Sequence, residues 1–380
     1  MLSTDEWSER PKRRRRYGHG TGLNKKVVLI NPEACLAHDF VLSIGCVCSG
    51  LGTAKWASDS ALAPKCIPHR HVFMADILAA ARSFIMDNHQ DLGMLFSDCN
   101  SATFRLGCTY VDIFVAGFSC QPFSSAGGHQ GLADDRSAVI DSIVWYVRTH
   151  KPKAWILENV KGLLTHHPEQ LLKILQTLEA LVDDDGVALY RISWKILNSR
   201  FVGYVPHNRE RLYIVGLRSD CNAAGKFQWP TRVPALPLDS VLDGDGPVQT
   251  LSECFPKQTS SPDGGVFFRN VVAAIADFCD RHHHGRLKPC HLKDMVVDDG
   301  GTKYHYNLEY SPCLTAGRMR AGYWLPAKGR RLRWQEMAKL QGMRRDFVVN
   351  IATSTLGFML GNSFTETVMA RLIASAAEHC

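Results

Sequence analysis

From residue 40 onward the hydrophobic positions fall into short blocks whose period alternates along the chain. Blocks rich in β-branched and aromatic residues at 41–45, 71–75, 112–116, 154–157, 192–197 and 212–217 predict strands. Between them lie patterns with helical spacing. Val139, Ile140, Ile143, Val144 and Val147 make one apolar face. Leu171, Leu172, Ile174, Leu175, Leu178, Leu181 and Val182 make another, broader than a single stripe, which predicts a well-buried helix. Strands that alternate with helices predict an α/β fold built on a doubly wound, mostly parallel sheet. The rhythm stops near residue 226. Phe227-Gln228-Trp229-Pro230 opens a region rich in Pro, Gly, Asp and His, which reads as a second, smaller domain. Periodicity returns at 334–340 and in a final helix at 364–377.

Composition narrows this picture. A chain of 380 residues can hold one large domain and a smaller one. No apolar run reaches transmembrane length, and the first thirty residues are charged and lack a signal-peptide core, so no membrane role is expected. The 13 cysteines include no CxxC pair, which points to free thiols in a reducing compartment. A net charge of +7 permits an anionic partner without demanding one. Residues 1–35 read as a basic, disordered tail around Pro11-Lys12-Arg13-Arg14-Arg15-Arg16. Such a run is usually solvated. It also fits a nuclear import signal or a sequence-blind grip on phosphates, and a nuclear location is the expectation.

The candidate chemistry clusters at predicted strand ends. Gly117-Phe118-Ser119-Cys120-Gln121-Pro122-Phe123-Ser124 follows a buried strand, and Gly127, Gly128 and Gly131 follow it in turn. Cys120 is there either an exposed nucleophile or a buried free thiol, and these residues alone leave both open. Cys48-Ser49-Gly50-Leu51-Gly52-Thr53 is a glycine turn after the first strand, with Asp76 closing the next strand and Asp98 just before another. That pattern suits an adenosyl ligand, whose ribose hydroxyls an acid would take, although two glycines in a loop are common. Glu158 lies where its strand ends, as a catalytic carboxylate or a capping one. Arg209 and Arg211 alternate onto one face, and a surface salt bridge is the ordinary fate of such residues. The stretch from Cys279 through His282-His283-His284 to Cys290-His291 fits no standard zinc spacing and reads as a solvated loop. The segment from Lys328 to Arg333 is placed for phosphate contact or is a solvated face.

Taken in order, these pieces resemble the cytosine-C5 methyltransferase family. The Cys120 loop, Glu158-Asn159-Val160, Arg209-Glu210-Arg211, Arg331-Leu332 with Glu336, Ala338 and Leu340-Gln341-Gly342, and Gly361-Asn362-Ser363 carry the resemblance, over residues 41–218 and 306–375. It implies an S-adenosylmethionine-dependent methyltransferase fold, with a catalytic domain over 36–226, a target-recognition domain over 227–354 and a C-terminal helix in 355–380 that returns to the catalytic domain. It implies that Cys120 adds to C6 of a flipped cytosine in double-stranded DNA. Glu158 would hold the N3 edge, Arg211 would hold O2 and Arg209 would support the site. The loop from Ser124 to Asp135 would close over the base. S-adenosylmethionine would lie against Cys48, Gly50, Gly52, Asp76, Asp98, Ser119, Asn362 and Ser363, with no metal, in a monomer brought to its target by recruiting proteins. A tRNA-methylating relative usually carries a Cys-Phe-Thr tripeptide, which this chain lacks. Four positions depart from the family pattern: Ser119 replaces a proline, Cys46 an acid, Cys48 an aromatic that stacks on adenine and Thr53 a glycine. These changes imply weaker cofactor binding, unless Trp56 refills the pocket, and they keep a non-catalytic nucleic-acid-binding relative as the alternative.

Overall fold

The computed structural model describes residues 27–29, 41–118, 138–221, 226–244, 246–257, 265–343 and 345–380. Eight strands form one sheet: β1 Val27–Leu29, β2 Leu42–Val47, β3 His69–Ala75, β4 Met94–Phe96, β5 Ile113–Gly117, β6 Ala154–Val160, β7 Tyr190–Asn198 and β8 Glu210–Arg218. Their spatial order is β1-β4-β3-β2-β5-β6-β8-β7. Strands β2 to β6 pair in parallel, whereas β1 and β8 run against them. Helices α1 Thr53–Leu62, α2 Ala79–Asn88, α3 Ala102–Gly107, α4 Ala138–His150, α5 Gly162–Thr165, α6 Pro168–Glu179 and α7 Ser199–Val202 lie between the strands. A second, antiparallel sheet orders β9 Met295–Asp298, β10 His305–Leu308, β11 Trp324–Leu325 and β12 Arg330–Arg331 as β10-β9-β11-β12. Around it lie α8 Gly265–His283, α9 Ala316–Met319, α10 Trp334–Leu340, α11 Thr353–Asn362 and α12 Glu366–Ala377.

The central strands are apolar at every position because both faces are covered. Phe114, Ala116, Trp155 and Leu157 point to one face, under Ile143 and Val147 of α4 and Ile174 and Leu178 of α6. Ile113, Val115, Ala154 and Ile156 point to the other, under Ala54 and Ala57 of α1 and Val368, Met369 and Leu372 of α12. Thus the last helix of the chain completes a face of the first sheet. A third cluster joins Leu51, Trp56 and Phe84 to Leu314, Met337, Leu340 and Leu360, so residues 314–360 pack directly on α1 and α2. β2 has β3 on one side and β5 on the other. The crevice at the C-terminal edge of such a switch point is where doubly wound sheets take their ligands.

Several expectations change. The polar tail is not polar throughout, because Val27–Leu29 adds an antiparallel edge strand beside β4. β1 and β4 are three residues each, too short to show a period. On α6, Leu171, Ile174, Leu175 and Leu178 are buried. Leu172 on that helix and Val182 beyond it are 54% and 51% exposed, so a single stripe, not the whole helix, faces the core. The region without βα rhythm contains the 19-residue α8, whose Val271, Ala274, Ile275 and Phe278 form a helical stripe masked by neighbouring Pro, Gly and His.

Helix α11 approaches α9 backbone to backbone. A Cβ on Gly357 would stand 2.0 Å from the Met319 carbonyl oxygen, and one on Gly361 2.5 Å from the Ala316 nitrogen. Helix propensity alone would make Gly357→Ala stabilising by about 1 kcal/mol. The clash reverses the sign, and a net loss of about 1–3 kcal/mol is expected, as for overpacked cores. A lowered thermal midpoint by calorimetry checks this; an unchanged or raised one contradicts it.

Candidate active site

The turn after β2 is built for a left-handed backbone. Cys48, Gly50 and Gly52 have φ of 54°, 54° and 72°. A Cβ on Gly52 would lie 2.3 Å from His89 Nε2, whereas one on Gly50 would face open space. Ser49 locks the turn to the next strand, its N–H donating to Ala75 O at 3.1 Å. Asp76 closes β3 and is buried, and its carboxylate accepts from Gly50 N at 2.7 Å and Leu78 N at 2.9 Å. Burial raises its pKa more than those two N–H groups lower it. Beside it Ile77 and Leu78 are 73% and 43% exposed. A carboxylate flanked by an open glycine and two uncovered apolar side chains fits an adenosyl ligand, with acceptors for the ribose and apolar surface for the purine.

The other residues expected around that turn divide. The Cys48 thiol hydrogen-bonds buried Cys99. Cys46 is fully buried, and desolvation pushes its thiol up to about 12. Asp98 follows β4 instead of preceding a strand, and its Oδ1 accepts from Asn100 N at 2.8 Å just ahead of α3. Trp56 does not fill the adenine side. It is buried against Phe347, stacked at 5.6 Å, and against Phe84 and His89. Asn362 is exposed at the end of α11. Ser363 is buried, with its hydroxyl donating to Met359 O at 2.8 Å. Ser119, Cys120, Gly127, Gly128 and Gly131 lie outside the described residues, as does the arginine run of the tail.

What the structure does place is the frame from which the Cys120 loop departs. Gly117, the last residue of β5, pairs with Glu158 of β6. A Cβ there would stand 2.8 Å from the Phe364 ring and 3.7 Å from Glu158 Oε2. Only glycine lets the chain leave the sheet at that point. Because β8 runs against β6, its first residues lie beside the last of β6, and Arg211 pairs with Val160. Val160 and Glu158 share a face, so Arg211 is a diagonal neighbour of the carboxylate. Its Nε stands 3.1 Å from Glu158 Oε1, with both side chains about nine-tenths buried. Burial raises the Glu158 pKa, and the opposing pull of Arg211 and Arg209 does not cancel it.

Arg209 plays a different part. It is 2% exposed and donates from Nη1 to Leu314 O (2.9 Å) and Gly361 O (3.1 Å) and from Nη2 to Ser363 O (2.7 Å). His207, fully buried, accepts from Leu314 N at Nε2 (3.0 Å), so its Nδ1 carries the hydrogen and donates to Leu340 O (3.1 Å). Burial, then the two arginines, holds that imidazole neutral. Backbone bonds between Ser311 and Pro206 and between Asn208 and Ser311 extend the clamp. Both guanidiniums also reach one sulfur, that of Cys313, at 3.8 Å from Arg209 and 3.7 Å from Arg211. The sequence pointed to no role for Cys313; its only signal is its place in the second stretch of resemblance. The basic segment turns inward, with Arg330 forked onto buried Glu336 (2.9 and 2.8 Å) and Arg331 onto Asp299 (3.2 and 2.7 Å). In the histidine stretch, His283 and His291 stack at 3.9 Å. Among the described residues no group of three or more His, Cys, Asp or Glu is placed to hold a metal ion.

Comparison with known proteins agrees with this edge-of-sheet site. The family description "C-5 cytosine-specific DNA methylase" matches residues 48–378. The Type II methyltransferase M.NgoBI of Neisseria gonorrhoeae is 30% identical over 269 residues, which are 68% of this chain and 71% of that protein. A putative DNA modification methyltransferase encoded within an E. coli prophage superposes with a TM-score of 0.58 at 16% identity, covering 89% of this chain and 98% of that one. The Entamoeba histolytica methyltransferase EhMeth gives 0.57 at 15% identity, covering 89% and 98%. These two structures share the fold.

The Arg209 fork has a direct test. A lysine has one ammonium and cannot reach carbonyls on two separate segments with the same geometry. Arg209→Lys is expected to cost about 2–4 kcal/mol, the scale of disturbing a buried charge. Denaturant unfolding reads the loss, and a stability within about 0.5 kcal/mol of wild type would contradict it.

Proposed function

Because the chain belongs to the C-5 cytosine-specific DNA methylase family, we propose that it methylates double-stranded DNA through a covalent bond between Cys120 and C6 of a cytosine turned out of the helix. It is a DNA cytosine-5-methyltransferase, and S-adenosylmethionine is its methyl donor. The observation that carries the finer reading is the Glu158–Arg211 pair beside Gly117, where the Cys120 loop leaves β5.

The chemistry asks for these residue types. C5 of cytosine is a weak nucleophile, and addition of the Cys120 sulfur to C6 makes it enamine-like. Glu158, whose burial favours its protonated form, donates to N3 as negative charge enters the ring. Arg211, fixed by that carboxylate, holds the O2 edge. Arg209 fastens the strand that carries Arg211 and does not touch the base. Asp76 and the turn at Gly50 hold the cofactor, which supplies an electrophilic methyl group when bound. Loss of the C5 proton to a base then breaks the C6–S bond and frees Cys120. A stacked base cannot reach a recessed strand end, so the cytosine is flipped.

Trapping tests this reading. In DNA carrying 5-fluorocytosine the C5 fluorine cannot leave as a proton does, so the adduct persists. With S-adenosylmethionine the wild type is expected to give a covalent band on denaturing gels, and Cys120→Ala none. Glu158→Gln should leave DNA affinity nearly unchanged and slow methyl transfer by about two to four decades. A wild type without adduct, or Glu158→Gln turning over at the ordinary rate, contradicts the assignment.

The cofactor turn yields a second expectation. Cysteine at position 48 cannot cover a purine face as an aromatic ring does, and Trp56 packs elsewhere. Aromatic contacts contribute about 1 kcal/mol beyond area burial. Cys48→Phe should therefore tighten S-adenosylmethionine about ten-fold by calorimetric titration. Weaker binding in the variant would show that Cys48 and Cys99 have rebuilt the pocket.

A further inference from the structure

Cys313 stands where two positive charges meet and is the one group there with no assigned role. Its sulfur is partly exposed and lies within 3.8 Å of Arg209 and 3.7 Å of Arg211. The local charge is unbalanced. Apart from Cys313, Arg209 is shown bonded only to backbone carbonyls, those of Leu314, Gly361 and Ser363, which carry no formal charge. Arg211 faces Glu158, a carboxylate whose burial favours the neutral acid. Two buried guanidiniums are therefore matched by less than one full negative charge, which is costly in a low-dielectric site.

The other groups close by do not relieve this. His207 is neutral, since its Nε2 accepts from Leu314 N. Tyr213 of β8 is fully buried, and desolvation raises its pKa further, so it stays protonated. Tyr323, on the approach to β11, donates its hydroxyl to the Cys313 carbonyl at 2.6 Å and is itself kept neutral by burial. Among the described residues only the Cys313 sulfur can supply the missing anion. An electropositive, partly exposed surrounding is also the setting that makes a cysteine ionise.

We propose that Cys313 is a positioning residue of the methyl-transfer site, its sulfur serving as the anion shared by Arg209 and Arg211 and, through Arg211, keeping Glu158 charged with its proton. The inference rests on the role given to Glu158 above. Burial works against ionisation of Cys313, but the coulombic pull of Arg211 and Arg209 and their hydrogen bonds outweigh it, and the net direction is down. The consequence for Glu158 has a definite sign. A nearby anion disfavours a second one, so a Cys313 thiolate helps the carboxyl stay protonated. Replacing it with a neutral group leaves the two cations uncompensated and makes Glu158 ionise at lower pH. Methyl transfer then fails at lower pH, because the acid that donates to N3 is lost sooner.

Two measurements on the full chain test this. In the first, Cys313 of the reduced wild type is alkylated with iodoacetamide across pH and quantified by peptide mass spectrometry, with exposed Cys66 and Cys290 as references in the same molecule. Cys313 is expected to reach its plateau rate at lower pH than either reference. A plateau at the same or higher pH overturns the proposal, whatever the protein's activity. In the second, single-turnover methyl transfer is followed against pH for wild type, Cys313→Ser and Cys313→Asp. Serine should move the alkaline limb down by roughly one pH unit, the scale of one charge a few ångström away, with little change in the KM for DNA. Aspartate should return the limb toward wild type. A limb that serine does not move, or that aspartate moves as serine does, overturns the proposal. A wild type that methylates at no pH would instead overturn the reading of the site, and the alkylation profile would still decide the charge on Cys313.

Discussion

The structure depends on one buried guanidinium. Arg209 ties three carbonyls from two distant stretches, Leu314 ahead of α9 and Gly361 and Ser363 around the end of α11, to the strand that begins one residue later. Removing an arginine from water is expensive, and the cost is offset only because nearly all its directions are met by oxygen or sulfur. His207 adds the Leu340 carbonyl and the Leu314 N–H two residues before it. What these four segments gain is a fixed relation between the large sheet and the elements that follow β8. Without it, Arg211 would belong to a strand with no defined position against the rest of the chain.

The reversed direction of β8 is the second constraint. In an all-parallel sheet the start of a strand lies at the edge opposite the ligand crevice. Running β8 against β6 carries its first residues to the C-terminal edge, where β5 and β6 also end. A cation from one strand and a carboxylate from the next thereby meet without help from a long loop. Chemistry placed on strand ends is held more tightly than chemistry placed on loops. Glu158, Arg211 and the glycine exit at Gly117 are all held in this way.

Much of this was legible in the chain, for physical reasons that can be named. The central strands announced themselves because burial on two faces forces continuous β-branched and aromatic runs, and α4 and α10 because their apolar positions keep a helical period. Glu158, Arg211 and Asp76 were legible as residues at strand ends, where side chains have no core to join. What stayed hidden lacks a local signature. β1 and β4 are too short to have a period. The inward turn of Arg330 and Arg331 depends on Glu336 and Asp299, and nothing in a run of cations shows which way each one faces. Cys313 was invisible for the same reason: its neighbours lie about a hundred positions earlier and meet it only in three dimensions.

The closing of the sheet by α12 has a consequence for how the chain is made. Ile113, Val115 and Ile156 sit in strands complete by residue 160, yet the helix that covers them together with α1 begins at Glu366. β8 ends at Arg218, so roughly 150 residues must leave the ribosome between the last strand and its cover. At about 5–20 residues per second that interval is on the order of 8 to 30 seconds. During it one side of the sheet is an open apolar surface tethered to a growing polypeptide, the kind of surface that holdase chaperones bind. Nascent-chain quality control, more than the finished enzyme's stability, then sets how much of this protein a cell accumulates.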